Sequence, residues 1–142
     1  MSNAKTLAGC LLDHGYTVLT GGSDNHMLLV NVLDKGITGV IAERALEDCG
    51  IIINKNKIPG DKKSPQVASG IRLGTNNLSA RKMREPEMQQ CTDLIHTVLS
   101  TMRPINDTEY ELNSSVREFA QAEVKRLCDL FPIPDYPIYN GK

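Results

Sequence analysis

The chain has no long hydrophobic run and almost no net charge, and these absences exclude several classes of protein. It contains no run of about 18 apolar residues, the length that a membrane-spanning helix needs. The formal net charge is -1, so nothing predicts a field that would attract nucleic acid or a membrane surface. A basic start followed by an apolar stretch, typical of secretion signals, is also missing. We therefore expect a cytoplasmic protein that binds neither membranes nor nucleic acid.

Paired metal ligands and recognisable catalytic sets are missing too. The four cysteines form no CxxC pair and have no histidine at metal-binding spacing; they are Cys10, Cys49, Cys91 and Cys128. Each lies in a segment with apolar periodicity, which predicts buried free thiols in a reducing compartment and no metal site. His14, His26 and His96 are far apart in sequence and define no nucleophile–base arrangement.

What is present is the pattern of one small globular domain of 142 residues. Apolar periodicity predicts helices over residues 5–14, 39–49, 86–102 and 114–130, and strands over 16–19, 26–33, 51–54 and 69–73. Helix boundaries are indicated by Thr38, Gly50, Pro86, Pro104 and Asn113 or Ser114. This order predicts an α+β fold, with a small, mainly antiparallel sheet and helices packed on one face.

The remaining segments are assigned as connections and ends. Residues 1–4 read as an expression scar and are left out of the fold, the domain spans 5–131, and the Pro-rich tail 132–142 is expected to be extended. Gly21 and Gly22 predict a hairpin-like reversal, and residues 76–82 a turn or helix start.

Residues 53–75 carry the most information, because a polar loop there connects two predicted strands. Arg72 lies in the second strand within the sequence GIRLG. A planar guanidinium offers two parallel N–H donors that match the oxygens of a substrate carboxylate. The alternative is an internal ion pair with Asp or Glu, which is the more common role of a single arginine.

The loop itself offers amides and positive charge. Asn54 and Asn56 would share a strand face and could read the edge of a heterocycle, or they could stabilise a turn locally. The lysines around them could attract an anionic ligand or simply form a solvated face; they are Lys55, Lys57, Lys62 and Lys63.

Several motifs in register resemble the C-terminal domain of serine hydroxymethyltransferase, a fold-type I pyridoxal-phosphate enzyme. They are TGGSDNHMLLV (20–30), NKN (54–56), PGD (59–61), KSP (63–65) and SGIRLGT (69–75), and the likeness extends over residues 5–131. The resemblance implies that this chain is the C-terminal domain or a split subunit of an enzyme of one-carbon metabolism. That enzyme transfers the hydroxymethyl carbon of serine to tetrahydrofolate and yields glycine.

The resemblance also implies roles for individual residues. Arg72 would hold the carboxylate of the amino-acid substrate, serine or glycine. Asn56 and the segment Ser64, Pro65 and Gln66 would contribute to tetrahydrofolate binding. The family's catalytic lysine and phosphate-binding groups lie in a preceding large domain, for which these 142 residues have no room. No catalytic residue is therefore expected here, and activity would require a large pyridoxal-phosphate domain or subunit in a homo- or hetero-oligomer.

Three departures from the family pattern leave alternatives open. Gln66 replaces a phenylalanine usual in bacterial members, Asn76-Asn77 replaces Pro-Ala, and Lys82 replaces glycine. The first removes a stacking surface near the folate, which slightly favours a related threonine transaldolase that does not use folate. A third alternative is a non-catalytic partner or regulatory module, although the presence of Arg72 and Asn56 weighs against it.

Overall fold

The computed structural model describes residues 2–19, 27–75, 79 and 81–132. Four α-helices lie in these ranges: α1 (Ser2–Asp13), α2 (Gly39–Asp48), α3 (Glu85–Thr101) and α4 (Ser114–Leu130). The strands are β1 (Thr17–Val18), β2 (Met27–Asn31), β3 (Asn54–Asn56), β4 (Gly70–Gly74), β5 (Arg103–Pro104) and β6 (Tyr110–Glu111), with a 3-10 turn at Leu33–Lys35. None of the helices in the described ranges has the length and apolar character needed to cross a bilayer.

The main sheet is antiparallel, in the order β1-β2-β4-β3. One face carries alternating apolar side chains that are buried in a single core with α1, α2 and α3; on the strands they are Val18, Leu28, Val30, Ile71 and Leu73. Because side chains alternate along a strand, the residues between them point to the opposite face. The α+β prediction, with a small antiparallel sheet and helices on one face, is confirmed.

Helix ends follow the predicted signals. Thr38 and Asn113 occupy the N-cap positions of α2 and α4, and the Asn113 side chain accepts a hydrogen bond from the Ser115 amide at 2.8 Å. Pro86 lies in the first turn of α3, and Gly50 follows α2 with a φ of +87°. The Thr38 hydroxyl, however, donates to the carbonyl of Asp107 at 2.7 Å and accepts no hydrogen bond from the amides of its own helix.

Two boundaries differ from those predicted. The first helix includes Asn3 and Ala4, which are buried, and the Asn3 amide donates to the Met83 carbonyl at 2.8 Å. Leaving these residues out of the fold was therefore wrong, while their origin as an expression scar stays a prediction. The third strand begins at Asn54 and not at residue 51, because the Ile51 amide bonds to Leu46 at the end of α2.

Other expectations lie wholly or partly outside the described residues. The predicted reversal at Gly21 and Gly22 lies outside the described residues. The strands before and after it, β1 and β2, are antiparallel. Most of the predicted 76–82 turn and all of the predicted 132–142 tail except residue 132 are also outside. The sequence did not predict the short β5–β6 ladder, in which Pro104 lies opposite Tyr110.

Candidate functional site

The face of the sheet turned away from the helices carries Arg72 at its centre. Arg72 lies on β4, directly opposite Leu29 of β2 on one side and Asn54 of β3 on the other. Its side chain is exposed, whereas its neighbours Ile71 and Leu73 are in the core. Among the described residues no hydrogen-bond or ion-pair partner of its guanidinium is found, so the internal ion pair considered as an alternative does not occur there.

Asn54 and Asn56 share this face, as the alternation in the sequence predicts. Asn54 is opposite Arg72, and Asn56 is opposite Gly70, which is also flanked by Asn31 of β2. The side-chain amide of Asn56 donates a hydrogen bond to the adjacent Lys57 carbonyl at 2.9 Å. This is the local turn interaction that was considered as the alternative to ligand binding. Its carbonyl oxygen has no hydrogen-bond donor among the described residues. The face therefore combines one guanidinium with three amides.

Asp61 organises the loop between β3 and β4, a role that the sequence analysis missed. Its carboxylate accepts hydrogen bonds from the amides of Ile58 (3.2 Å), Lys63 (2.8 Å) and Ser69 (2.9 Å), and from the Ser69 hydroxyl (2.7 Å). Desolvation acts to raise the pKa of this carboxyl, but the Ser69 hydroxyl and the three amides outweigh it and lower the pKa to about 2. The Asp61 side chain thereby fixes the start of β4, two residues before Arg72.

The signal for this role was present in the sequence. Asp61 follows Pro59-Gly60, and the Asp61 amide bonds to the Ile58 carbonyl at 2.9 Å in a tight turn. Gly60 has a φ of +75°, the conformation that the third position of a type II turn requires. An aspartate beside such a turn commonly accepts bonds from nearby backbone amides.

Ser64, Pro65 and Gln66 form an exposed turn before β4. The Ser64 carbonyl accepts hydrogen bonds from the Val67 amide at 3.1 Å and from the Ala68 amide at 2.7 Å. This turn and Asn56 both lie at the Gly70 end of the β3–β4 pair. The segment predicted to contact folate thus belongs to the loop that begins directly after Asn56, with the Gln66 side chain open to solvent.

The loop is anchored to the N-terminus of α2. The amides of Gly39 and Val40 donate to the carbonyls of Ala68 (3.0 Å) and Val67 (2.9 Å). These contacts satisfy donors that would otherwise lack partners at a helix start. They also bring Gly39 so close to β4 that a Cβ there would lie 2.4 Å from the Gly70 carbonyl oxygen.

Two of the four loop lysines have carboxylate partners. Lys55 Nζ lies 3.5 Å from Glu43 Oε1, and Lys63 Nζ lies 3.0 Å from Asp107 Oδ2. Lys57 and Lys62 are exposed and lack such a partner among the described residues. The lysines are therefore partly a structural feature, and the positive charge directed at the outer face comes chiefly from Arg72.

An apolar cavity of about 230 Å³ lies apart from this chemistry, between the end of the sheet and the helices. It is lined by apolar residues from α1, α3, α4 and the 50–53 segment, with the half-buried thiols of Cys91 and Cys128. Burial, with the nearby Glu87 and Cys128, raises the pKa of Cys91 to about 11. The cavity has no charged lining residue, so it does not suit an amino-acid carboxylate. Cys10 and Cys49 are buried free thiols, as predicted, whereas Cys91 and Cys128 are free but only partly buried because they line this cavity.

The described residues do not fit a complete pyridoxal-phosphate site. A Schiff-base lysine requires a desolvated environment that lowers its pKa. Every lysine in the described ranges is exposed or at most partly buried, and no group of three metal-ligand side chains occurs there.

The departure at Lys82 has a physical consequence. Its φ is +68°, in the left-handed region that favours glycine, the residue usual at this position in the family that the chain resembles. Lys82 therefore holds a strained backbone. Asn76 and Asn77 lie outside the described residues.

The comparison with protein families matches the serine hydroxymethyltransferase model over residues 1–95. This span runs from α1 into α3 and includes Arg72, Asn54, Asn56 and the 57–69 loop. It covers well over half of the 142 residues. The chain therefore belongs to the serine hydroxymethyltransferase family, a family of transferase enzymes.

Proposed function

We propose that this chain supplies the substrate-carboxylate and folate-facing part of a serine hydroxymethyltransferase active site. The observation that carries the proposal is the exposed Arg72 guanidinium, placed between Leu29 and Asn54 and without an ionic partner in the described part of the chain. Such a group can hold both oxygens of a carboxylate at once. The reaction is the transfer of serine's hydroxymethyl carbon to tetrahydrofolate, with glycine as the other product.

The pyridoxal phosphate of this reaction is assigned to a large domain or subunit that packs against the outer face of the sheet. Support comes from the exposure of the described lysines and from the chemistry of the face, which offers amides and a guanidinium but no buried amine. In this arrangement Arg72 binds and orients the substrate carboxylate, while Asn56 and the turn at Ser64, Pro65 and Gln66 border the folate. Folate binding thus uses the Gly70 end of β4, and carboxylate binding uses its middle.

A second function, threonine transaldolase activity without folate, is favoured by one observation. Gln66 occupies an exposed turn position where bacterial members usually carry phenylalanine. A glutamine there gives no aromatic surface for the pterin ring to stack upon. The carboxylate role of Arg72 is the same in both reactions, because threonine and serine share that group.

The experiment compares Arg72→Lys with the parent chain after each is combined with the large domain or subunit. Lysine keeps the charge but loses the planar pair of donors. Charged hydrogen bonds contribute about 1.5–3 kcal/mol each, so serine affinity should fall on the order of 10²-fold, since about 1.4 kcal/mol is tenfold. Spectral titration of the cofactor with serine gives the affinity, and thermal melting reports the fold.

A matched control is Arg103→Lys, because Arg103 is also exposed but is paired with Glu111 in the separate β5–β6 ladder. This variant should bind serine like the parent. Unchanged serine affinity in Arg72→Lys would refute the carboxylate role. Dependence of turnover on added tetrahydrofolate decides between the two reactions: the transaldolase needs an aldehyde acceptor and no folate.

A further inference from the structure

A cluster of titratable side chains lies at the end of α1, outside the face described above. His14, just after α1, stacks on His96 of α3, with ring centroids 4.2 Å apart and an angle of 18° between the planes. The two residues are far apart in sequence, so only the packing of α1 on α3 brings them together. Two parallel imidazoles at this distance tolerate one proton far better than two, because two charges would repel each other.

Each ring is held by a different partner. His14 Nε2 lies 2.9 Å from Asp93 Oδ1 on α3. His96 Nδ1 lies 3.0 Å from the hydroxyl of Tyr16, which immediately precedes β1, and the two rings meet edge to face at 5.6 Å. Burial raises the pKa of Tyr16 to about 12, so its hydroxyl keeps its proton and can donate it to a neutral His96.

The ammonium group of Lys35 also belongs to this cluster, where it contacts Tyr16 and His14. Lys35 Nζ lies 4.8 Å from the centre of the Tyr16 ring and donates to the His14 carbonyl at 3.1 Å. Among the described residues, the titratable and charged groups that act on the stacked pair are Tyr16, Lys35 of the 3-10 turn and Asp93 of α3. Asp93 in turn lies near Cys10 of α1 and lines a groove with Glu123 and Arg126 of α4. Asp93 contacts His14 directly, which leaves His96 next to His14 and Lys35 with no carboxylate of its own.

We propose that the stacked His14–His96 pair is a proton-sensitive latch. It fastens the end of α1 and the start of β1 to α3 while His96 is neutral, and it releases them when both rings are protonated. The carboxylate of Asp93 balances one positive ring but not two. Release would loosen the edge of the sheet at β1 and the buried side of α1, where Leu7 and Leu11 meet the core.

The sign of the pH dependence follows from His96. Burial, His14 and Lys35 lower the pKa of His96 from 6.5, against the opposing effect of Asp93. The folded state therefore binds fewer protons than the unfolded state below that value. The contribution of the latch to stability is complete above pH 6.5 and is lost as the pH falls through the lower pKa of the folded state.

The test is amide hydrogen exchange of the full chain at pH 7.5 and 5.5, corrected for intrinsic rates and read helix by helix. We expect protection in α1 and β1 to fall at least tenfold at pH 5.5 relative to α4, which supplies no hydrogen bond or ring contact to His14 or His96. In His96→Phe, which keeps a ring able to stack but cannot be protonated, this selective loss should disappear. His14→Phe should have the same effect and serves if His96→Phe does not fold.

Three results would overturn the latch. The first is equal protection of α1 at the two pH values in the parent chain. The second is a loss spread uniformly over all helices, and the third is a selective loss that persists in both phenylalanine variants. Ring-proton titration of His14 and His96 by NMR gives an independent measure, because the latch requires one of the two rings to take its proton at a distinctly lower pH than the other.

Discussion

At the scale of single residues, the chemistry of the outer face rests on Arg72 and on the loop that positions it. Arg72 is exposed, whereas the Asp61 carboxylate accepts hydrogen bonds from backbone amides and a serine hydroxyl of its own loop. The Arg72 side chain is thus available to a ligand, and the Asp61 side chain holds the loop that leads into β4. A further residue, Lys82, is held in a left-handed conformation.

Replacing Asp61 by Asn should lower stability at neutral pH by about 2 kcal/mol, since an amide oxygen accepts the same donors less strongly than a carboxylate. The native contribution is complete above pH 3.8 and is lost as the pH falls to about 2, so the parent and Asp61→Asn should converge over that interval. Urea unfolding at pH 7, 4 and 2.5 measures this. The control Asp129→Asn, in an exposed pair with Lys125, should leave stability nearly unchanged, because solvent screens such pairs. A constant gap between Asp61→Asn and the parent would contradict the prediction.

Replacing Lys82 by Gly should raise stability by about 0.5–1 kcal/mol, because relief of the left-handed strain exceeds the entropic cost of glycine. Lys62 is a loop residue without a positive φ. Lys62→Gly should therefore lower stability slightly, because only the entropic cost of glycine remains. Thermal melting of both variants tests the pair. Equal effects of the two substitutions would mean that the backbone at Lys82 is not strained.

At the scale of elements, the start of α2 and the start of β4 depend on each other. The first amides of α2 bond to Val67 and Ala68, and Gly39 faces the Gly70 carbonyl without room for a side chain. The sequence predicted both elements, because the cap at Thr38 and the glycine frame around Arg72 are local signals. It did not predict that the loop would meet the helix, since that contact joins groups about 30 residues apart in sequence and depends on packing.

Gly39→Ala should destabilise the protein by about 1–3 kcal/mol, because the new methyl group meets a backbone oxygen that can move only if β4 moves. Gly9→Ala is the matched control: it also lies in a helix, but apart from its chain neighbours and the nearby backbone of its own helix no described atom lies within 4 Å of its Cβ position. That variant should gain about 0.5–1 kcal/mol from the better helix former. Chemical unfolding compares the two. Similar stability of the Gly39→Ala and Gly9→Ala variants would show that β4 can yield at this point.

At the scale of the whole molecule, the C-terminal part ties itself to both ends of α2. At the start of α2, the Thr38 hydroxyl donates a hydrogen bond to the Asp107 carbonyl. At the other end of α2, Asp48 accepts hydrogen bonds from the side chains of Tyr110 (2.5 Å) and Gln121 (2.7 Å). The family match ends at residue 95, yet the fold continues through α4. Only Ala120 and Leu127 of α4 are buried, so much of its apolar stripe faces outward.

We predict that the isolated chain associates through α4, since Phe119 and Leu130 are 54% and 61% exposed. Phe119 and Leu130 lie on the same side of α4, about three turns apart, and an apolar strip exposed along a helix marks an interaction surface. The double substitution Phe119→Ser and Leu130→Gln should reduce association, measured by light scattering and by binding of a dye for apolar surfaces. Leu33→Gln, at an exposed site in the 3-10 turn, is the control and should change neither signal. A parent chain that is monomeric at high concentration and binds no dye would contradict this prediction.

Local signals in the sequence were enough to predict the four α-helices, the strands of the main sheet and the polar side chains of its outer face, but not the β5–β6 ladder. Apolar periods gave the helices, caps gave their ends, and strand alternation placed Asn54 and Asn56 on one side, because these signals depend on neighbouring residues. Tertiary structure alone decided that Arg72 lies opposite Asn54, that Asn3 is buried against Met83, and that His14 meets His96. Each of these contacts is set by strand register or by the packing of α1 on the rest of the fold, which no local pattern encodes.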